Sequence, residues 1–297
     1  MATKVKIVMD PYPPPAWVET VVRGVDQHNV AVTGLSDYYP AGFFIRDANR
    51  EIRGGLLGDI WARWFYVGSL WVNPSLRGRG YGAELMARAE SYALRKTCTN
   101  AFLQTGSYEA RPFYEKLGYR VYAELENHPT APHARYFMTK ALAKGAEPKP
   151  RINDLEITME PYASADHHKI VKDGIGDHAI AALGLPERTQ YPFNFFLLDT
   201  DGEVLGGALG NYAGDWAYLS FLWVDRQMRG DGHASRLVAA MEAYVASRGC
   251  GNAFLGTFSF QARPLYEKLG YHVFGELKDY PQGHAHYLLR KRLGAAS

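Results

Sequence analysis

Apolar positions fall along this chain in short blocks whose period switches between helix and strand. Ala16 to Gln27 is apolar at Val18, Val21, Val22 and Val25, close to helical spacing. Phe43-Phe44-Ile45-Arg46 reads as a strand, closed by the turn-like Asp47-Ala48-Asn49, and Glu51 to Asp59 reads as its hairpin partner. Trp64 to Val72 is aromatic and β-branched, a long central strand. Asn73-Pro74 ends it, because proline cannot donate to a ladder. Ala83 to Lys96 places Leu85, Met86, Ala89, Ala93 and Leu94 on one helical face. Ala101 to Thr105 predicts a strand, and Glu109 to Leu117 a helix with Gly118 as its C′ residue. Tyr119 to Leu125 and Ala134 to Leu142 close as antiparallel strands, the latter expected at the sheet edge.

The same order then returns. Pro192 to Leu198 and Glu203 to Gly210 form a hairpin turned at Asp201-Gly202, Ala234 to Ser247 is a helix, and His284 to Leu293 is the matching edge strand. Gly54-Gly55 recurs as Gly206-Gly207, Leu70-Trp71-Val72 as Leu222-Trp223-Val224, and Tyr114 to Tyr119 as Tyr266 to Tyr271. From Gly54 to Pro129 the offset is a constant 152 positions, and roughly half of those positions are identical, far too long a period for a solenoid. Each copy is therefore a domain. The linker between them is 144–153, rich in proline, glycine and charge. The expected division is 1–143, linker 144–153, and 154–297. Each domain is expected to be mixed α/β.

Length agrees with two domains, since 297 residues suit a prior of roughly 100–200 per domain. Hydrophobic residues at 47% and charged residues at 22% exclude a disordered chain. A net charge of +2 gives no global drive toward nucleic acid or anionic membrane. No apolar run approaches the roughly 20 residues of a membrane helix. Met1 to Met9 lacks a signal-peptide core, so the cytoplasm is expected. Cys98 and Cys250 are too few for a disulfide framework or a zinc site; both are expected as small buried residues. Charge divides unevenly, about +5 over 1–150 and about −3 over 151–297.

Candidate chemistry concentrates after the central strand. Arg77-Gly78-Arg79-Gly80-Tyr81-Gly82 follows a strand and opens a helix. Helix N-terminal N–H groups lack intrahelical partners and carry the positive end of the dipole. Glycines let the backbone approach a pyrophosphate, and two arginines add cationic donors. The dinucleotide fingerprint and the P-loop both fail on spacing. The second copy reads Arg229-Gly230-Asp231-Gly232-His233-Ala234. Asp231 puts a carboxylate where Arg79 stands, so the first loop is expected to bind the tighter; His233, if protonated, would compensate.

These residues resemble a family. R-x-x-G-x-G/A opening a helix is the acyl-CoA pyrophosphate motif of the GNAT superfamily of N-acetyltransferases. Arg77, Gly80 and Gly82 match it, as do Arg229, Gly232 and Ala234. A downstream helix with Tyr-Glu-Lys-Leu-Gly-Tyr is the second landmark, present twice. The second copy further resembles a small bacterial subgroup through Thr257 to Ala262 and Gly275 to Pro281 with Gly283-His284. The resemblance implies two tandem domains, each a mixed, mostly antiparallel sheet flanked by helices. It also implies transfer of acetyl from acetyl-CoA to a primary amine of a small molecule, by direct attack in a ternary complex and without a metal.

The resemblance assigns the acid for the departing thiolate to Tyr114 and Tyr266, phenols with an ordinary pKa near 10. It assigns the thioester carbonyl and pantetheine to backbone N–H groups near Leu70-Trp71-Val72 and Leu222-Trp223-Val224, where the strand splays. The pyrophosphate falls to Arg77, Gly78, Arg79, Gly80, Tyr81 and Gly82, and to Arg229, Gly230, Gly232, His233 and Ala234. Family members often carry a glutamate before the Leu-Trp-Val segment as base. Here Gly68-Ser69 and Ser220-Phe221 stand there, leaving Asp59, Asp215, Glu124 and Glu276 as candidates. His284 and His286 are expected in a surface or substrate pocket, and His167-His168 in a solvated loop. Acceptor identity is expected to lie in Pro11 to Tyr39 and Tyr162 to Tyr191. The competing functions are a non-catalytic acyl-CoA-binding scaffold and a peptide or protein N-acetyltransferase. The partners expected are an amine, no nucleic acid and no membrane, within an intramolecular pseudo-dimer or a homo-oligomer.

Overall fold

The computed structural model describes residues 4–143, 155–184 and 190–294, so the linker at 144–153 lies outside the described residues. The elements run β1 (Lys6–Met9), α1 (Pro15–Thr33), β2 (Tyr38–Arg46), β3 (Ile52–Trp61), β4 (Trp64–Val72), α2 (Tyr81–Arg95), β5 (Asn100–Gly106), α3 (Arg111–Lys116), β6 (Arg120–Glu126) and β7 (Ala134–Ala141). The second copy gives β8 (Glu156–Met159), α4 (Ala165–Leu183), β9 (Tyr191–Leu198), β10 (Val204–Ala213), β11 (Trp216–Val224), α5 (His233–Ser247), β12 (Asn252–Phe258), α6 (Arg263–Lys268), β13 (His272–Lys278) and β14 (Ala285–Arg292). The mixed α/β expectation holds. β4–β5 and β11–β12 are parallel pairs, while the hairpins around them are antiparallel.

The compact units are not the contiguous halves. One sheet is ordered β6-β7-β5-β4-β3-β2-β8, the other β1-β9-β10-β11-β12-β14-β13. Each copy has given its first strand and helix to the other's sheet. The unit with the first glycine-rich loop, Arg77 to Gly82 (the first cradle), comprises 37–125 and 135–187; the unit with the second, Arg229 to Ala234 (the second cradle), comprises 1–36, 126–134 and 188–297. Expecting 1–143 and 154–297 to fold separately is corrected accordingly. The reason is physical: the two sheets present near-identical docking surfaces, so the repeat cannot say which sheet a given β-α pair joins. The repeated glycine pairs make room for the exchanged helices. A Cβ on Gly207 would stand 2.7 Å from Val21 of α1, and one on Gly55 2.8 Å from Val171 of α4.

Two smaller corrections follow. β7 and β14 are interior, each between two strands, and the edges are β6, β8, β1 and β13. His167 and His168 lie in the first turn of α4 rather than in a loop. His167 packs on Phe44 and bonds Glu160 through Nδ1 at 2.8 Å. Residues 126–134 also join the second cradle's unit: Trp216 Nε1 donates to Asn127 O at 2.9 Å and Asp215 N to Pro129 O at 2.7 Å.

Candidate active site

Alternation sorts each central strand into two faces. Leu70 and Val72 pack with the α2 core and Trp71 with α4; likewise Leu222 and Val224 face the α5 core and Trp223 faces α1. Gly174 and Gly24 allow the helices to lie on these indoles, since any Cβ there would overlap Trp71 or Trp223. The two tryptophan side chains are thus packing groups.

The splay is present in both units. β4 pairs with β5 only from Trp64 to Val67, although β4 runs on to Val72 and β5 to Gly106. β11 pairs with β12 only from Trp216 to Leu219. A bulge initiates each opening, with Gly68 or Ser220 as the extra residue. Asn73 N donates to Arg53 O on β3, so alternation turns the Val72 and Leu70 N–H groups toward the opening and Trp71's toward β3. Asp225 N donating to Leu205 O does the same for Val224 and Leu222.

The glycine-rich loops follow at once. Arg77 Nε donates to Val72 O at 3.1 Å and Arg229 Nε to Val224 O at 3.0 Å, tying each loop to the strand beside the splay. Gly78 and Gly80 have φ of 75° and 83°, Gly230 and Gly232 of 98° and 76°, conformations that penalise any side chain. Gly80 and Gly232 are N-caps without a side-chain acceptor, so the first-turn N–H groups of α2 and α5 take no capping side chain. Arg79 and Asp231 are both exposed at the matching positions. The Tyr81 and His233 side chains at the helix entries are buried. Arg236 Nη1 stands 3.3 Å from His233 Nδ1, so the His233 ring is turned toward its own helix.

Tyr114 and Tyr266 lie on the α2 and α5 faces, buried against Tyr119 and Tyr271 at 6.0 and 5.9 Å. Burial, joined for Tyr114 by the Glu109 carboxylate, raises both phenols well above their ordinary value. The expectation of a pKa near 10 is corrected: each remains a protonated donor throughout the working range. Burial also pushes both Cys98 and Cys250 up to about 11, as inert packing thiols.

The opposite faces differ between units. Asp59, on the face of Leu57 and α4, is half-buried, and Asn211 occupies its place in the second copy. Arg135 donates to Gln104 at 3.1 Å beside the first splay. The second has Gly256 and His286 instead, with His286 Nε2 2.6 Å from where a Gly256 Cβ would sit. His286 packs on Phe258 at 4.9 Å, and its Nδ1 is sealed without a partner. Helix α1 reaches this end: Gln261 Nε2 donates to Asn29 Oδ1 at 2.8 Å. The contact from α1 was not visible in sequence, because it depends on the exchange; Asp59 and His286 were candidates in the sequence. Among the described residues no group of three or more His, Cys, Asp or Glu could hold a metal, and no helix is long and apolar enough to cross a membrane.

The Acetyltransferase (GNAT) family profile matches twice, at residues 11–119 and 157–271. The chain belongs to the GNAT acetyltransferase family. Among similar proteins, an acetyltransferase of Agrobacterium fabrum is 30% identical over 138 residues, 46% of this chain and 99% of that protein. The blasticidin-S acetyltransferase of Streptomyces morookaense is 39% identical over 93 residues, 31% of this chain and 68% of that protein. A crystal structure of an acetyltransferase from Agrobacterium tumefaciens is 30% identical, with TM-score 0.42, covering 45% of this chain and 96% of its own.

Proposed function

We propose that this GNAT protein transfers acetyl from acetyl-CoA to the primary amine of a small molecule, by direct attack. The observation that carries the reading is the splay: in each unit a parallel pair opens within one strand's length of an uncapped, glycine-entered helix N-terminus. The donor set fits an acyl-CoA. First-turn N–H groups and the exposed Arg79 suit a pyrophosphate. The Leu70 and Val72 N–H groups suit amide and thioester oxygens. Tyr114 holds a proton on the α2 side for the departing sulfur. The similarity to an acetyltransferase of blasticidin S favours a small acceptor. The first cradle, free of an acidic residue, is proposed as the tighter binder.

A thiol-release assay of the full-length protein with acetyl-CoA and a panel of small amines and peptides tests the reading. Tyr114→Phe is expected to lower turnover by about 10²–10⁴-fold, the range for a positioned general acid, with acetyl-CoA affinity nearly unchanged. Turnover on basic peptides but on no small amine would refute the acceptor class.

A further inference from the structure

The family's usual strand glutamate is missing from both copies, yet amine attack on a thioester must release a proton. Asp59 is placed to take it. It lies on β3 opposite Tyr66 of β4, one row before the point where the β4–β5 ladder ends at Val67. The bulge at Gly68 lies just beyond. β3 alternates Leu56 and Ile60 into the α2 core and Leu57 into the α4 cluster, so Asp59 shares the α4 face. Tyr114 is on the opposite face, and the splay lies between them. An acyl group threaded through the splay has an acid on its sulfur side and a carboxylate on the side from which an amine would come.

The environment of Asp59 is unusual for a structural carboxylate. No ion pair is made by Asp59 among the described residues; its polar partner is the Tyr38 hydroxyl, with Tyr66 the facing phenol on β4. Burial pushes the carboxyl up to about 6, and the Tyr38 hydrogen bond only partly opposes this. A half-buried carboxylate without a cation costs stability and marks functional sites. The second copy supplies the contrast, because Asn211 at this position cannot accept a proton.

We infer that Asp59 is the proton acceptor for the acceptor amine at the first cradle, and that this unit carries the faster acetyl transfer. The inference rests on the acetyltransferase reading above. The neutral amine nitrogen forms the C–N bond to the thioester carbonyl carbon and gives one proton to the Asp59 carboxylate. Three residues of strand at roughly 3.4 Å each separate Asp59 from the Leu70 row, so the proton travels through water. The C–S bond breaks, and the sulfur takes the Tyr114 phenolic proton. Asp59 then returns its proton through water to the Tyr114 oxygen. Amine and thioester become amide and thiol with no further reactant.

Asp59→Asn in the full-length chain is the test. Turnover of a cognate amine should fall by about 10²–10⁴-fold, with acetyl-CoA affinity by calorimetry unchanged and the acid limb near pH 6 abolished. Asp59→Glu should restore part of the rate. Tyr38→Phe should move the acid limb to higher pH, since the hydrogen bond it removes favours the charged form. A readout independent of activity is the urea midpoint. Asp59→Asn should be the more stable protein above pH 6 and lose that advantage near pH 4. Full turnover in Asp59→Asn, or a change in amine KM alone, overturns the inference and leaves the acetyltransferase reading standing. A wild-type protein that binds acetyl-CoA but acetylates no amine overturns both.

Discussion

The exchange of strand and helix between copies makes one mutational cycle decisive. Gly24 of α1 lies on the indole of Trp223, 199 positions away and in the other copy, and Gly174 of α4 lies on Trp71. Gly24→Ala adds one methyl into that contact. Helix propensity alone would make it stabilising by about 1 kcal/mol. Overpacking against an indole held by its sheet costs about 1–3 kcal/mol, so the net is a loss of up to about 2 kcal/mol. In a Trp223→Leu background the obstruction is gone, and the same change should become neutral or stabilising. The coupling between the two sites should fall in the range of 0.5–3 kcal/mol typical of contacting residues. With Trp71→Leu the effects should add within about 0.5 kcal/mol. Urea unfolding of the full-length variants at constant m measures each corner. Coupling of Gly24 to Trp71 rather than to Trp223 would refute the exchanged topology.

Two further outcomes are expected. Gly80→Asp puts a side chain and a negative charge at a φ of 83° in the first cradle, so acetyl-CoA affinity by calorimetry should drop by at least tenfold while the matching Gly232→Asp costs less. Burial pushes the His286 imidazole down to about 4 from 6.5. Its neutral form therefore contributes stability that is complete above pH 6.5 and lost as pH falls through 4; His286→Gln should flatten the urea midpoint over that window, and an unchanged slope would contradict it.

Much of each copy was legible because local rules agree there. β4 was predicted at its observed bounds, since Trp64 to Val72 is strand-like throughout and Asn73-Pro74 stops it. The glycine-rich loops were legible as strand-to-helix turns because the positive φ at Gly78, Gly80, Gly230 and Gly232 is a conformation glycine adopts freely. β1 and β8 were missed: four residues each carry no readable period. Helix α4 was missed as well, because its first turn is the polar Ala-Asp-His-His stretch capped by Ser164. The residue that faces Asp59 across the β3–β4 pair could not be read either. A bulge of one residue on β4 changes which residues face each other across the pair, and no sequence signal marks Gly68 as extra. The splay is a property of two strands together, so neither strand's own pattern contains it.

Why each β-α pair joins the other copy's sheet is answerable from a few polar side chains. The apolar contacts do not discriminate: Val171 against Gly55 and Val21 against Gly207 are near-equivalent. The polar ones do. Glu160, just past β8, bonds Arg46 at 2.6 Å and His167 at 2.8 Å. Burial pushes its carboxyl up, and those two partners more than reverse this, leaving it below the ordinary value. Docked on its own copy, β8 would find Leu198 in place of Arg46, and the partly buried Glu160 carboxylate would lose that cation. Arg46 would find the shorter Asp10 there, so the preference rests on Glu160. At the far end of the helices, Asn29 accepts from Gln261. On its own copy it would meet Glu109, whose Oε2 already accepts from Thr105 and Gly106 at 3.0 and 2.7 Å. The Glu160–Arg46 ion pair exists only in the exchanged arrangement. A substitution in α1 is therefore felt at the second splay and one in α4 at the first, which ties one face of each central strand to the copy that does not supply the glycine-rich loop beside it.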